Sequence, residues 1–109
     1  MKLAIPVESK DENAIMNERF GRSVYFALYD DESNSYEFVT NPASNARGGA
    51  GIQAVQFLAL KKVTVVIAPN LGPNADNALK SANIESFQGE PISAKELVEK
   101  WKNDQLVKT

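Results

Sequence analysis

Val63-Thr64-Val65-Val66-Ile67-Ala68 decides the fold. The run is β-branched almost throughout and carries no charge. That is the composition of a central parallel strand covered on both faces. Parallel neighbours need crossover connections, usually helical, so the flanking segments should contain them. Upstream, Gly51 to Leu60 holds Ile52, Val55, Phe57, Leu58, Ala59 and Leu60, which reads as a largely buried helix. Lys61-Lys62 then sits favourably at its C-terminal dipole. Downstream, Asn70-Leu71-Gly72-Pro73-Asn74 is a turn, with Pro in the first turn of a helix. Ala75, Ala78, Leu79 and Ala82 give this second helix a small apolar face, and Asn83 can close it in the left-handed conformation.

Working further outward, Ile84 to Phe87 reads as a last short strand. Ser93-Ala94-Lys95-Glu96 is a capping box flanked by Ile92 and Leu97 at the staple positions. The final helix buries Leu97, Val98 and Trp101, with Trp101 a core anchor rather than a ligand platform. Toward the N-terminus, Leu3 to Val7 is a strand, although Pro6 counts against a fully paired central position. Glu8 to Asn17 is polar loop. Ser23–Tyr29 and Tyr36–Thr40 form a β-hairpin around the polar turn Asp30 to Ser35. Asn41-Pro42 ends the second hairpin strand, since proline cannot donate to a ladder. The order β-ββ-α-β-α-β-α describes one α/β domain over residues 1–109.

Composition narrows the chemistry. The chain has 109 residues and a net charge of −2 from 14 acids and 12 bases, which argues against nucleic acid as a partner. It has no cysteine and no histidine. Disulfides, thiol nucleophiles, thiolate or imidazole metal ligands and the commonest general base are therefore excluded. The apolar run at the N-terminus is too short for a signal peptide. No segment has the apolar length of a membrane span, so the expected location is the cytoplasm.

Strand direction brings the loops together. If the first strand pairs antiparallel with the second, it runs with the third, fourth and fifth. Glu8-Ser9, Phe20-Gly21-Arg22, Asn41 to Gly51 and Asn70 to Asn74 then share the carboxyl edge of the sheet. Open α/β sheets place ligands at that edge. Arg47-Gly48-Gly49-Ala50-Gly51 is the leading candidate, because glycines let successive N–H groups point at one anion ahead of a helix N-terminus. It is not a P-loop, since no Gly-Lys-Ser/Thr follows. It can equally be a flexible loop that caps a helix, and Asn70 to Asn74 can be a plain tight turn. Phe20-Gly21-Arg22 can be a turn with a core Phe, or Arg22 can offer its planar fork to a carboxylate or phosphate. Asp11, Glu12 and Asp30-Asp31-Glu32 read as solvated loops, the last at the opposite edge. Glu8 alone is well placed for metal chemistry, so a two-metal site is disfavoured.

The whole pattern resembles the dinitrogenase iron–molybdenum cofactor biosynthesis family, the small domain of NifX and of the C-terminal part of NifB. The matching text is Met1 to Val7, Arg19-Phe20-Gly21-Arg22 leading into Tyr25-Phe26, Asn41-Pro42, and Gly49-Ala50-Gly51-Ile52-Gln53-Ala54. Val65-Val66-Ile67 and Gly72-Pro73-Asn74-Ala75 with Ala78-Leu79 complete it. The resemblance implies a ribonuclease H-like three-layer α/β/α fold, with a five-stranded mixed sheet whose second strand is antiparallel. It also implies a non-enzymatic carrier or accessory role toward an iron–sulfur or iron–molybdenum-type cluster precursor, with cluster donor or acceptor proteins as partners. Members often carry His where this chain has Arg19 and in the loop where it has Arg47-Gly48. The implied ligand-binding set is Glu8, Arg19, Phe20, Gly21, Arg22, Asn41, Arg47, Gly48, Gly49, Gly51, Gly72 and Asn74. An anionic cluster would be held there by arginines and backbone N–H groups, without Cys or His. Two alternatives stand beside this reading. One is a metal-free module for a small anion or phosphate. The other is an enzyme that uses Glu8 or a tyrosine such as Tyr25 as acid or base.

Overall fold

The run that begins at Val63 pairs as a strand only from Val65. In the computed structural model, which describes residues 1–109, the strands are β1 (Lys2–Val7), β2 (Tyr25–Asp30), β3 (Ser35–Thr40), β4 (Val65–Ala68) and β5 (Glu85–Gln88). The helices are α1 (Ala50–Leu60), α2 (Pro73–Ser81) and α3 (Ala94–Lys102). The strands form one five-stranded sheet in the order β3-β2-β1-β4-β5. β2 is antiparallel to β1 and β3, whereas β1, β4 and β5 run together.

Val63 is missing from β4 because the end of α1 uses it. Val63 N–H donates to Leu58 O, Lys62 N–H donates to Ala59 O, and Lys62 has φ 65. This is the paired closure of a helix through a left-handed residue. α2 closes in the same way: Ile84 N–H reaches Leu79 O, Asn83 N–H reaches Lys80 O, and Asn83 has φ 59. The expectation for Asn83 is met, and Ile84 is lost from β5 for the same reason as Val63 from β4.

Period-two alternation sorts the strand residues onto two faces. Ala4, Phe26, Leu28, Val66 and Ala68 pack with Ala54, Val55 and Leu58 of α1 and Leu79 of α2. Leu3, Ile5, Val7, Ala27, Tyr29, Val65 and Ile67 pack with Leu97 and Val98 of α3 on the other. The layers are therefore α/β/α. α1 is less buried than its composition suggests: Ala50, Ala54, Val55 and Leu58 are inside, but Leu60 is 84% exposed. Those four positions mark one helical face, and one face is all that a helix on the outside of a sheet covers. In α3, Ser93 Oγ accepts from Glu96 N–H at 3.1 Å, one half of the capping box. The Glu96 carboxylate returns to the Ser93 hydroxyl rather than to its backbone.

Pro6 is accommodated inside a central strand by its position. The β1–β4 ladder pairs Leu3 with Val65 and Ala4 with Val66. Beyond it, loop residues come alongside β1: Val7 bridges Met16, and Asn17 N–H donates to Pro6 O at 2.8 Å. Pro6 contributes only the carbonyl that such a contact needs.

Candidate functional site

The carboxyl end of the sheet carries the candidate site, and glycine contacts shape it. Phe20–Arg22 forms a single 3-10 turn packed against the start of α1. A Cβ on Gly21 would lie 2.7 Å from Gly51 N and 2.9 Å from Ala50 C, both backbone atoms. Only glycine lets the turn come this close. Across α1, a Cβ on Gly51 would stand 3.1 Å from the Ala75 Cβ, so the same glycine also brings α2 near. Gly49 enters α1 with φ 67, the left-handed conformation.

Three chain segments thereby enclose a cavity of about 310 Å³. Glu18, Arg19, Phe20 and Gly21 line one side, Gly49 to Ile52 another, and Asn70 to Ala75 the third. No side chain caps α1 or α2. The N–H groups of Ala50, Gly51 and Ile52, and of Asn74 and Ala75, donate to no backbone acceptor outside their helices. The first amides of a helix have no partner within it. Two positive helix ends thus open onto one cavity. Leu71 and Ile52 add apolar wall.

Of the twelve residues implied from the sequence, Arg19, Phe20, Gly21, Gly49, Gly51, Gly72 and Asn74 line this cavity. Glu8, Arg22 and Asn41 lie beside it and hold its frame. Glu8 Oε2 accepts from Val24 N–H at 2.8 Å. Arg22 donates from its guanidinium to Ala46 O, tying the 3-10 turn to the loop before α1. Asn41, 1% exposed, donates from Nδ2 to Gly21 O and to Ser23 O, each at 3.0 Å, and its Oδ1 accepts from Ala43 N–H. These bonds also explain why β2 starts at Tyr25: Ser23 and Val24 give backbone groups to Asn41 and Glu8 rather than extending the strand. Arg47 and Gly48 stay in the exposed loop outside the cavity lining.

Sequence reasoning passed over Glu18, and it placed Asn70 at this edge without naming it among the twelve residues. Both line the cavity, and both also border a second one of about 410 Å³ that reaches Gln88, Gly89 and Pro91. Glu18 sits next to Arg19 in a polar loop, where nothing in the residue pattern separates it from solvated acids. Its carboxylate is in no ion pair, and neither are Arg19, Arg22 or Arg47, all the arginines of the chain. No group of three potential metal-ligating side chains gathers in the structure. No helix is long and apolar enough to cross a membrane.

Comparison with known proteins identifies chains of the same fold. The apo form of the orange protein from Desulfovibrio gigas superposes with a TM-score of 0.95 at 28% identity, covering 99% of this chain and 92% of that one. A protein from Thermotoga named for NifB superposes with a TM-score of 0.85 at 34% identity, covering 98% and 91%. An uncharacterized protein of Methanocaldococcus jannaschii is 26% identical over 99% of this chain and 91% of its own length. The model of the dinitrogenase iron-molybdenum cofactor family matches residues 1–104, and the chain belongs to that family.

Proposed function

We propose that this protein is a non-enzymatic carrier or accessory protein for an anionic metallocluster precursor, held at the cavity between the 3-10 turn and the N-termini of α1 and α2. One observation carries the reading: two uncapped helix N-termini and Arg19 face a single cavity, while no carboxylate pairs with any of the rim arginines. Such a site favours a negative ligand through fixed N–H dipoles and charge-assisted hydrogen bonds. Arg19 contacts the ligand; Arg22 and Arg47 extend the positive field around the mouth. Gly49, Gly51 and Gly72 allow close backbone approach. With neither Cys nor His in the chain, iron or molybdenum would keep its own sulfur or oxygen ligands, and the protein would bind the outside of the cluster. We read the sheet order with its reversed second strand as ribonuclease H-like, a single unit over residues 1–109, working in the cytoplasm with cluster donor and acceptor proteins.

The test is anaerobic loading with a synthetic iron–sulfur cluster, followed by absorption and thermal midpoint. Tight binding to the wild type, weakened by Arg19→Gln, is the expected result. An unchanged spectrum and an unchanged midpoint would remove the carrier reading.

A second reading, a metal-free anion module, draws on the same absence of soft ligands. Stabilisation by a phosphorylated metabolite without any cluster would favour it. Enzymatic use of Glu8 is the weakest reading, because its carboxylate already accepts a backbone hydrogen bond.

A further inference from the structure

The cavity that draws in an anion also holds a carboxylate. Glu18 is the one acidic side chain among its lining residues, exposed and without an ion-pair partner. It stands beside Arg19, and with Asn70 it divides this cavity from the adjoining one. Charge arithmetic gives it a role. Each helix N-terminus is equivalent to about +0.5 charge, and Asp76 in the first turn of α2 is paired with Lys80 at 3.0 Å, so α1, α2 and Arg19 together present about +2. Glu18 lowers this to about +1.

We propose that Glu18 is a specificity-determining residue that limits the charge the site accepts, selecting an anion of low net charge over a compact dianion. The inference rests on the anion-binding reading of the cavity. A free inorganic dianion such as phosphate or sulfate would place its second negative charge against Glu18 with nothing to neutralise it. A ligand with an anionic end and a hydrogen-donating or metal-bearing end would satisfy both sides: the anionic end on the helix amides and Arg19, the other at Glu18. The neighbouring lobe, lined by Asn70 and Gln88 and without a basic side chain, suits that second end.

Perrhenate and tungstate test this directly, because they are tetrahedral oxyanions of nearly equal size with charges of 1− and 2−. Both are titrated at low ionic strength into the full chain and into Glu18→Gln, with Arg19→Gln as a control for the site. Coulomb energy scales with ligand charge, so a gain of about tenfold for the dianion on removal of Glu18 goes with about threefold for the monoanion. We expect Glu18→Gln to shift the preference toward tungstate by about threefold, and Arg19→Gln to weaken both anions. If both anions bind the wild type and Glu18→Gln leaves their ratio unchanged, the role of Glu18 is overturned while the anion site stands. If neither anion binds either protein, both fall together.

Discussion

The hairpin and the cavity rim, at opposite ends of the sheet, treat charge in opposite ways. At the hairpin end, the N-terminal ammonium of Met1 lies 3.0 Å from Asp31 and 3.7 Å from Glu32. Lys102 donates to Asn34 there and lies over the Tyr29 ring. At the carboxyl end, Arg19, Arg22 and Arg47 have no carboxylate partner, two helices start uncapped, and glycines remove the side chains that would fill the space. The hairpin pairs these charges internally; the cavity rim leaves its arginines and first helix amides without a carboxylate partner, while Glu12–Lys95 and Glu90–Lys100 pair elsewhere along that edge. The lesson is that the buried Asn41 and the Arg22 bond to Ala46 O fix the shape of the rim, whereas the exposed Arg19 and Arg47 are left without a carboxylate partner.

Asn41 gives the sharpest way to break that division. Asn41→Ala would leave Gly21 O, Ser23 O and Ala43 N–H without their partner, and we expect a loss of about 3 kcal/mol in urea denaturation. A loss below about 1 kcal/mol would mean that water replaces the amide and that the frame does not depend on it. Gly21→Ala comes next, at about 2 kcal/mol, because its Cβ meets backbone rather than a mobile side chain. Gly72→Ala, with open space around it and φ −68, should stay within about 0.5 kcal/mol of the wild type. Equal effects at the two glycines would contradict the packing account.

At the other end of the molecule, changes should move stability and leave anion affinity alone. Lys62→Gly relieves a left-handed lysine at the end of α1 and should stabilise by about 1 kcal/mol. Burial, aided by the charge of Glu12, pushes the Tyr36 phenol up to about 12 from its ordinary 10.0. A raised value in the folded state means that this contribution is complete below pH 10 and is lost as pH rises toward 12. Ultraviolet titration of tyrosine should show one late ionisation that Tyr36→Phe removes. The smallest effect belongs to the Met1 amine, raised above 8.0 by its hydrogen bond to Asp31. Its contribution is present below pH 8 and declines as pH rises through the raised value, and Asp31→Asn should flatten that slope.

Much of this arrangement is legible in the residues. The β-branched run at Val63, the proline at Pro73 and the hairpin around Asp30 suffice for the directions of β2 to β5; the direction of β1, which brings Glu8 to the same edge, follows only from its antiparallel pairing with β2. Strand ends are less legible, because Val63 and Ile84 are drawn into helix closures and Ser23 into bonds with Asn41. Those closures depend on φ at Lys62 and Asn83; asparagine advertises such a conformation and lysine does not. Of the glycines and arginines singled out by type, Arg19, Gly21, Gly49, Gly51 and Gly72 line the cavity, whereas Arg22, Arg47 and Gly48 do not. The roles of Asn41 as frame and Glu18 as wall come from neighbours far apart in the chain, which no local spacing encodes.

The division between the two ends is tested most directly by amide chemical-shift mapping during a perrhenate titration of the isotope-labelled protein at low ionic strength. The account predicts progressive shifts at Ala50, Gly51, Ile52, Asn74 and Ala75, with Asp31, Glu32 and Ser35 unmoved. Shifts centred on the hairpin end, or none at the two helix N-termini, would contradict it.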